Sequence, residues 1–177
     1  MLKNIMLKNI ILNLSQIDSE KKLDLLLKLS FFVSSIMLIS AFYLEHFQGA
    51  LPCDLCITQR WFHVLIITYS LILIFIVKKN LISKKLILLG LSIVWIMSSI
   101  AGTYHFGIEM KFWKGPEECS SNIDFSKDLL TYLLNKSTIK CDEVMFSVFG
   151  LSLAAWNAII SFGMFLFINI IIIKRKF

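Results

Sequence analysis

Charge, glycine and proline are scarce in this 177-residue chain: 17% of its residues are charged, and it holds 7 glycines and 2 prolines. So few turn formers exclude a collagen-like or loop-dominated chain, and so little charge excludes an intrinsically disordered one. Histidine and cysteine are also scarce, with three and four copies, so any chemistry has to be built from them and from a few charged groups. What is abundant is apolar. Hydrophobic residues make up 57% of the chain, against the roughly 45–50% of soluble domains, and 15 of the residues are Phe. That excess needs lipid to cover it.

A helix crossing a hydrocarbon core about 30 Å thick needs about 20 predominantly apolar residues. Four stretches qualify: residues 29–47, 61–77, 86–106 and 146–173. Uncharged runs this long in four places leave no polar face for solvent, which excludes a water-soluble bundle. The fold expected is an all-α membrane protein, one membrane domain over residues 1–177. It is a four-transmembrane-helix bundle with outward loops at 48–60 and 107–145. The fourth stretch is longer than a span requires, so it either tilts or begins as an interfacial helix. Residues 23–29, flanked by Lys22 and Lys28, read as an interfacial segment before the first span. Residues 126–135, with Leu129, Leu130, Leu133 and Leu134, read as a short amphipathic helix on the membrane surface. The repeat of Met1–Ile5 as Met6–Ile10 reads as an incidental duplication. No cleavable signal pattern precedes the first span, so that span is expected to serve as an uncleaved anchor.

The formal charge of +6 is unevenly divided. The two termini and the connection between the second and third spans carry 12 cations and 3 acids, whereas the other side, the two remaining loops with Glu45 at the end of the first span, carries 6 cations and 9 acids. By the positive-inside rule both termini are cytoplasmic and the two remaining loops face outward. The basic balance therefore reports topology, and no cationic cluster suggests a nucleic-acid partner.

All four cysteines fall in the outward loops. Cysteines acting as small apolar fillers would be scattered through the spans, and in an oxidising compartment an even set reads as disulfides. Zinc on four thiolates is a competing account, weakened by the single CxxC and the 22-residue separation of the other pair. A bridge from Cys119 to Cys141 would by itself be an ordinary loop staple. The pair Cys53 and Cys56 resists that account. A ring closed over two residues gains little chain entropy, and CxxC pairs commonly hold a sulfur of lowered pKa. Cys56 stands at the mouth of the second span, where a helix N-terminus favours a thiolate. Arg60 lies four residues on, and an arginine at a membrane boundary needs an anionic or polar partner, lipid phosphate being the simplest. These residues point to membrane dithiol–disulfide exchange with an acceptor that is another protein's disulfide or a lipid-soluble quinone.

Residues 52–60, Pro-Cys-Asp-Leu-Cys-Ile-Thr-Gln-Arg, present CxxCxxxR at the start of a second span, and a second cysteine pair is confined to the same side. With Phe-Gly-Leu-Ser-Leu-Ala-Ala-Trp-Asn at 149–157, this pattern resembles the bacterial disulfide bond formation protein B (DsbB) family. The resemblance covers most of the chain. It implies a quinone-dependent protein-disulfide oxidoreductase of the bacterial inner membrane that reoxidises a periplasmic DsbA-like thiol oxidase from the membrane quinone pool, ubiquinone or menaquinone. It implies redox-active disulfides Cys53–Cys56 and Cys119–Cys141, with Cys119 attacked by the partner, Cys141 exchanging with Cys53, Cys56 donating to quinone and Arg60 holding the quinone oxygen. His105, next to Tyr104, is similar to a quinone-side histidine of the family, the alternative being a histidine bonded to loop backbone.

Other polar groups are weaker candidates. Glu45, His46 and His63 read as satisfied bundle or interface groups, and Asp142 and Glu143 as solvated loop acids or as groups raising the Cys141 pKa. Asn157 is as well explained by an interhelical hydrogen bond as by a cofactor contact. Vitamin K epoxide reductase-like proteins run the same chemistry on four helices, but their CxxC is expected late in the bundle. The non-enzymatic alternative is a four-helix membrane protein with purely structural loop disulfides, and a paralogue dedicated to one oxidase is the narrower enzymatic one.

Overall fold

The computed structural model describes residues 2–76, 83–116 and 141–174, with side chains over 20–75, 83–116 and 141–173. Four helices dominate: α1 (Leu2–Gln48), α2 (Asp54–Ile76), α3 (Lys84–Glu109) and α4 (Leu153–Lys174), with a two-stranded antiparallel hairpin, β1 (Ser147–Val148) and β2 (Leu151–Ser152), just before α4. Each helix holds a stretch long and apolar enough to cross a membrane: Glu20–Gln48, Asp54–Phe75, Lys84–Glu109 and Leu153–Ile173. The chain is a multi-pass membrane protein built as a four-helix bundle. Large apolar side chains such as Phe32, Ile36, Ile39, Phe75 and Ile93 point outward, where only lipid covers them.

Two boundaries differ from the sequence reading. Residues 23–29 are no separate interfacial segment but part of α1, with Leu23, Leu26 and Leu27 buried in one cluster with Ile66, Leu73, Ile87, Leu88, Leu91, Trp95 and Ile168. Packing decides this, because those leucines meet the ends of three other helices. Residues 147–152 are not the start of the last span. Phe149 (φ +51°) and Gly150 (φ +79°) both take the left-handed region, the backbone a tight two-residue hairpin turn requires. Ser152 then accepts the Ala155 N–H at 3.2 Å and so caps α4. The surplus length of the fourth apolar stretch is thus a hairpin. The expected amphipathic helix at 126–135 lies outside the described residues.

The stretch of α1 from Leu23 to Val33 packs with the C-terminal half of α2, the N-terminal half of α3 and the C-terminal half of α4, so the helices run up-down-up-down. This apolar cluster fills the end of the bundle bearing both termini. The opposite end holds a second, smaller buried cluster of Cys53, Ile108 and Cys141, flanked by Leu55 and Cys56. At that end α3 stops in a Schellman turn: Phe112 N–H reaches the Gly107 carbonyl at 2.8 Å and Lys111 N–H the Ile108 carbonyl at 2.9 Å, with Lys111 left-handed at φ +61°. Trp113 folds back over Gly107 and donates to the Tyr104 carbonyl at 3.1 Å, fixing where the chain leaves α3.

Helices α3 and α4 meet backbone to backbone. A Cβ on Gly102 would stand 2.8 Å from Ala158 N and 3.0 Å from Ala154 O, and Ser99 Oγ donates to the Ala158 carbonyl at 3.0 Å. Small residues allow such an approach in lipid, where van der Waals contact has to do the packing. Gly102→Ala is therefore expected to cost about 1–3 kcal/mol in a reversible unfolding titration in mixed micelles. Gly163→Ala, on the same pair of helices but with open space around its Cβ, is expected to be neutral or stabilising.

Candidate functional site

Helix α2 begins at Asp54, seven residues before the apolar run that marks its span, and this places the CxxC on its first turn. The Cys53 carbonyl accepts the first helical hydrogen bond, from Ile57 N–H at 3.0 Å, and its Sγ accepts the Cys56 N–H at 3.3 Å. Cys53 is thus the N-cap of α2, its sulfur doing what a Ser or Asp oxygen usually does. The two sulfurs are in hydrogen-bond contact at 2.9 Å. Both cysteines are thiols in this structure, and closing them to the ~2.05 Å of a disulfide requires a shift of less than about 1 Å.

The negative charge of this dithiol resides on Cys53. Hydrogen bonding from Cys56 lowers its pKa to about 4, against the opposing effect of burial, with His105 adding to the lowering. The sequence places a thiolate on Cys56 from its helix-terminal position, but the N-cap itself is Cys53, where the donors converge. A thiolate on Cys56 belongs to a state in which Cys53 is bonded to another sulfur. Asp54, in the same first turn, adds the acidic group that a helix N-terminus favours.

His105 joins the pair from α3. Its Nε2 lies 3.5 Å from Cys53 Sγ, and Glu109 Oε1, one turn on, is 3.9 Å from the same nitrogen. His105 is buried, 3% exposed, and besides these side chains it meets the backbone of Cys141 in the second loop. Its other nitrogen, Nδ1, meets Gln59 Nε2 at 2.8 Å. Gln59 in turn accepts from Asn157 Nδ2 at 2.6 Å, and Asn157 Oδ1 meets His63 Nε2 at 3.0 Å. The His63 ring closes the series on α1 through Ser34 Oγ at 3.3 Å. Ser98 and Ser161 also donate to Asn157 Oδ1, at 3.3 and 3.1 Å.

Arg60 lies one turn beyond Cys56 on α2, and all its partners are on α1. It pairs with the Glu45 carboxylate, donates to the Ala41 carbonyl at 3.4 Å and sits 4.9 Å from the centre of the Phe42 ring. Lipid phosphate is therefore not what satisfies it; an acid within the bundle does, as a costly intramembrane cation requires.

These groups surround one cavity of about 330 Å³, within the size range of small-molecule sites. Its walls are apolar residues of α1 (Met37, Leu38, Ala41, Leu44) and of α4 and the hairpin (Val148, Leu153, Trp156, Ile160). Its polar groups are Cys56, Gln59, Arg60, His63, His105 and Asn157, with Ser40 on α1. Of the expected site residues, Cys53, Cys56, Arg60 and His105 come together here. Cys141 is disulfide-bonded and buried beside Cys53, and Cys119 lies outside the described residues. Glu45 and His63, read from the sequence as satisfied bundle groups, are paired with Arg60 and with Asn157 and Ser34; sequence reasoning passed over Gln59 and Glu109. The signal available for Gln59 and His63 was their spacing: two polar residues four apart in an apolar span share a face, and a polar group inside a span has to meet another.

A family model described as "Disulfide bond formation protein DsbB" matches residues 24–171. The chain is 25% identical over 176 residues to an uncharacterized protein of Rickettsia prowazekii, covering 97% of this chain and 98% of that one. It is 28% identical over 150 residues to a disulfide bond formation protein B of Albidiferax ferrireducens, covering 79% and 81% of the two chains. A disulfide bond formation protein B 2 of Pseudomonas fluorescens is 27% identical over 149 residues, 75% of each chain. No solved structure matches.

A sulfur with a pKa of about 4 is a thiolate at neutral pH. In the reduced protein, alkylation of Cys53 by iodoacetamide is expected to stay level from pH 8 to about 5.5 and to fall through a midpoint near 4. An ordinary thiol would decline from about pH 8.5 downward. Peptide-resolved mass spectrometry measures this; a midpoint near 8 contradicts the assignment.

Proposed function

The chain belongs to the DsbB family of membrane disulfide bond formation proteins, and on that premise we propose that it reoxidises a periplasmic DsbA-like thiol oxidase and delivers the electrons to a membrane quinone, ubiquinone or menaquinone. It is an oxidoreductase of disulfide bond formation. The finer reading rests on one observation above all: Cys56 of the dithiol lines an apolar cavity together with Gln59, Arg60, His63, His105 and Asn157. The cavity lies between α1 and the start of α4, helices that otherwise touch sparsely, so a hydrophobic ring can reach it from the bilayer.

In the proposed sequence, a thiolate of the reduced partner attacks Cys119 of the Cys119–Cys141 disulfide, and Cys141 leaves as a thiolate. The partner's second thiolate resolves that mixed disulfide, so the partner departs oxidised and Cys119 is released as a thiol. Cys141 attacks Cys53 of the Cys53–Cys56 disulfide, which frees Cys56 as the thiolate facing the cavity. Cys119 then displaces Cys53 from Cys141, restoring the loop disulfide and leaving the Cys53–Cys56 dithiol. That dithiol closes again to a disulfide, giving up two electrons and two protons. A bound quinone supplies the acceptor for both, being reduced to the quinol. Arg60, held by Glu45, places a cation where negative charge develops, and the apolar walls exclude water from the exposed thiolate.

The excess of cations on the termini and on the connection between the second and third spans supports cytoplasmic termini and periplasmic cysteine loops in the inner membrane, with the whole chain as one membrane domain.

Purified protein supplied with a reduced DsbA-type oxidase is expected to consume ubiquinone or menaquinone one-for-one with partner disulfide formed, followed by quinone absorbance. Cys56→Ser should abolish this. Arg60→Gln is expected to raise the KM for quinone roughly tenfold, with a smaller effect on kcat, as loss of one charged contact to the acceptor would. No quinone consumption overturns the function, and an unchanged KM removes Arg60 from the acceptor site.

A further inference from the structure

We propose that Gln59 and Asn157 are positioning residues for the thiol chemistry: together they hold His105 in the tautomer that directs its Nε2 hydrogen at the Cys53 sulfur. The proposal rests on the reading of Cys53 and Cys56 as the reacting pair.

Asn157 is the fixed point. Its Oδ1 faces His63 Nε2 at 3.0 Å and the hydroxyls of Ser98 at 3.3 Å and Ser161 at 3.1 Å, and its Nδ2 donates to Gln59 Oε1 at 2.6 Å. With its oxygen engaged, Gln59 turns its amide nitrogen to His105 Nδ1 at 2.8 Å. An amide nitrogen carries donors only, so His105 Nδ1 is the acceptor and the ring hydrogen is on Nε2. That nitrogen faces Cys53 Sγ at 3.5 Å. At the far end His63 Nε2 donates to Asn157 Oδ1 at 3.0 Å, which leaves its Nδ1 to accept from Ser34.

Every hydrogen bond in this series therefore points the same way, from Ser34 on α1 through α2, α4 and α3 to the cap of α2. All its side chains from His63 to His105 are buried, each at most 8% exposed. No member can turn alone. Rotating the Gln59 amide would set nitrogen against nitrogen at Asn157, leaving two donors unpaired where no water replaces them. The series is a chain of orientation, since amides do not relay protons as imidazoles do. Its output is a ring hydrogen on Nε2 fixed on the sulfur, because a hydrogen on Nδ1 would meet the Gln59 donor. The same polarity distinguishes the cluster from a metal centre. The ligand atoms of Cys53, Cys56 and His105 lie within 4.8 Å of one another, but a metal would need the Nε2 lone pair, and Nε2 carries hydrogen.

Cys53 is faced by Cys56 and its N–H from α2, by His105 and Glu109 from α3, and by the loop bearing Cys141. Arg60 is turned away, toward Glu45 on α1. Of these groups only His105 supplies a donor whose direction depends on residues that do not touch the sulfur.

The test uses the reduced full-length chain in lipid nanodiscs and reads the pH midpoint of iodoacetamide alkylation at Cys53. Gln59→Leu and Asn157→Leu are each expected to raise the midpoint by about one pH unit, the scale of a lost hydrogen bond to a charged group. In a His105→Phe background the midpoint is already raised, and Gln59→Leu is expected to move it no further. Equal shifts in both backgrounds, or none in either, overturn the proposal. A second measurement needs no substitution: nitrogen NMR of the ¹⁵N-histidine-labelled chain should show His105 protonated at Nε2 and bare at Nδ1, and the opposite tautomer overturns it. These readouts involve neither quinone nor partner. Absent midpoint shifts with intact quinone reduction therefore sink the lock, whereas the shifts without quinone reduction sink the functional reading and leave the lock standing.

Discussion

The hydrogen bond from Asn157 to Gln59, 2.6 Å long and closed to solvent, joins α4 to α2 at the depth where the bundle changes character. Lipid supplies no donors or acceptors, so a polar side chain inside the membrane either finds a partner on another helix or destabilises its own insertion. Gln59, Asn157, His63 and His105 come from three helices and satisfy one another, with serines of α1, α3 and α4 completing the set. That requirement fixes the rotation of each helix about its axis more tightly than apolar packing would, because Leu and Ile surfaces tolerate several registers and a directed amide does not.

Either side of this layer the bundle is built differently. Toward the termini, the leucines of α1 and α3 with Trp95 and Ile168 make a filled core, and Trp95 itself is tied to Ser30 at 3.3 Å. Toward the cysteines, α1 leans on α2 through the Arg60–Glu45 pair, while α3 and α4 close on each other through Gly102 and its small neighbours. The two pairs leave a gap between α1 and α4, and that gap is the cavity. A cation that has to be neutralised within the bundle thus helps to shape the cavity it lines.

The outer ends of the helices are held with equal care. Cys53 caps α2 with its sulfur, and Ser152 caps α4 with its hydroxyl. Trp156 donates to Val148 at 3.0 Å, holding the hairpin on the helix it precedes. Phe149, 93% exposed at the tip in a left-handed conformation, shows that the turn geometry is imposed by its surroundings, since a bulky residue does not choose it. A cysteine that serves as a helix cap couples the redox site to the fold. Oxidation or attack at Cys53 changes the sulfur that receives the Cys56 N–H.

Composition and spacing determined a good deal on their own. Four apolar runs fix the number of spans because the hydrocarbon thickness admits little else, and the CxxCxxxR pattern places two sulfurs and a guanidinium within two turns of one another because a helix repeats every 3.6 residues. The same arithmetic misjudged residues 23–29 and 146–152. Whether a leucine-rich stretch lies on a surface or in a core, and whether an apolar stretch coils or turns, depends on neighbours distant in the chain. The partners of Arg60 and the role of Gln59 were invisible for that reason: Glu45 is 15 residues away from Arg60 and Asn157 is 98 away from Gln59. Sequence thus named the chemically able residues, through their side-chain chemistry and local spacing. Tertiary structure alone decided which sulfur carries the charge and which way each donor points, because a hydrogen bond's direction is set by the far ends of chains of contacts that close only when four helices meet.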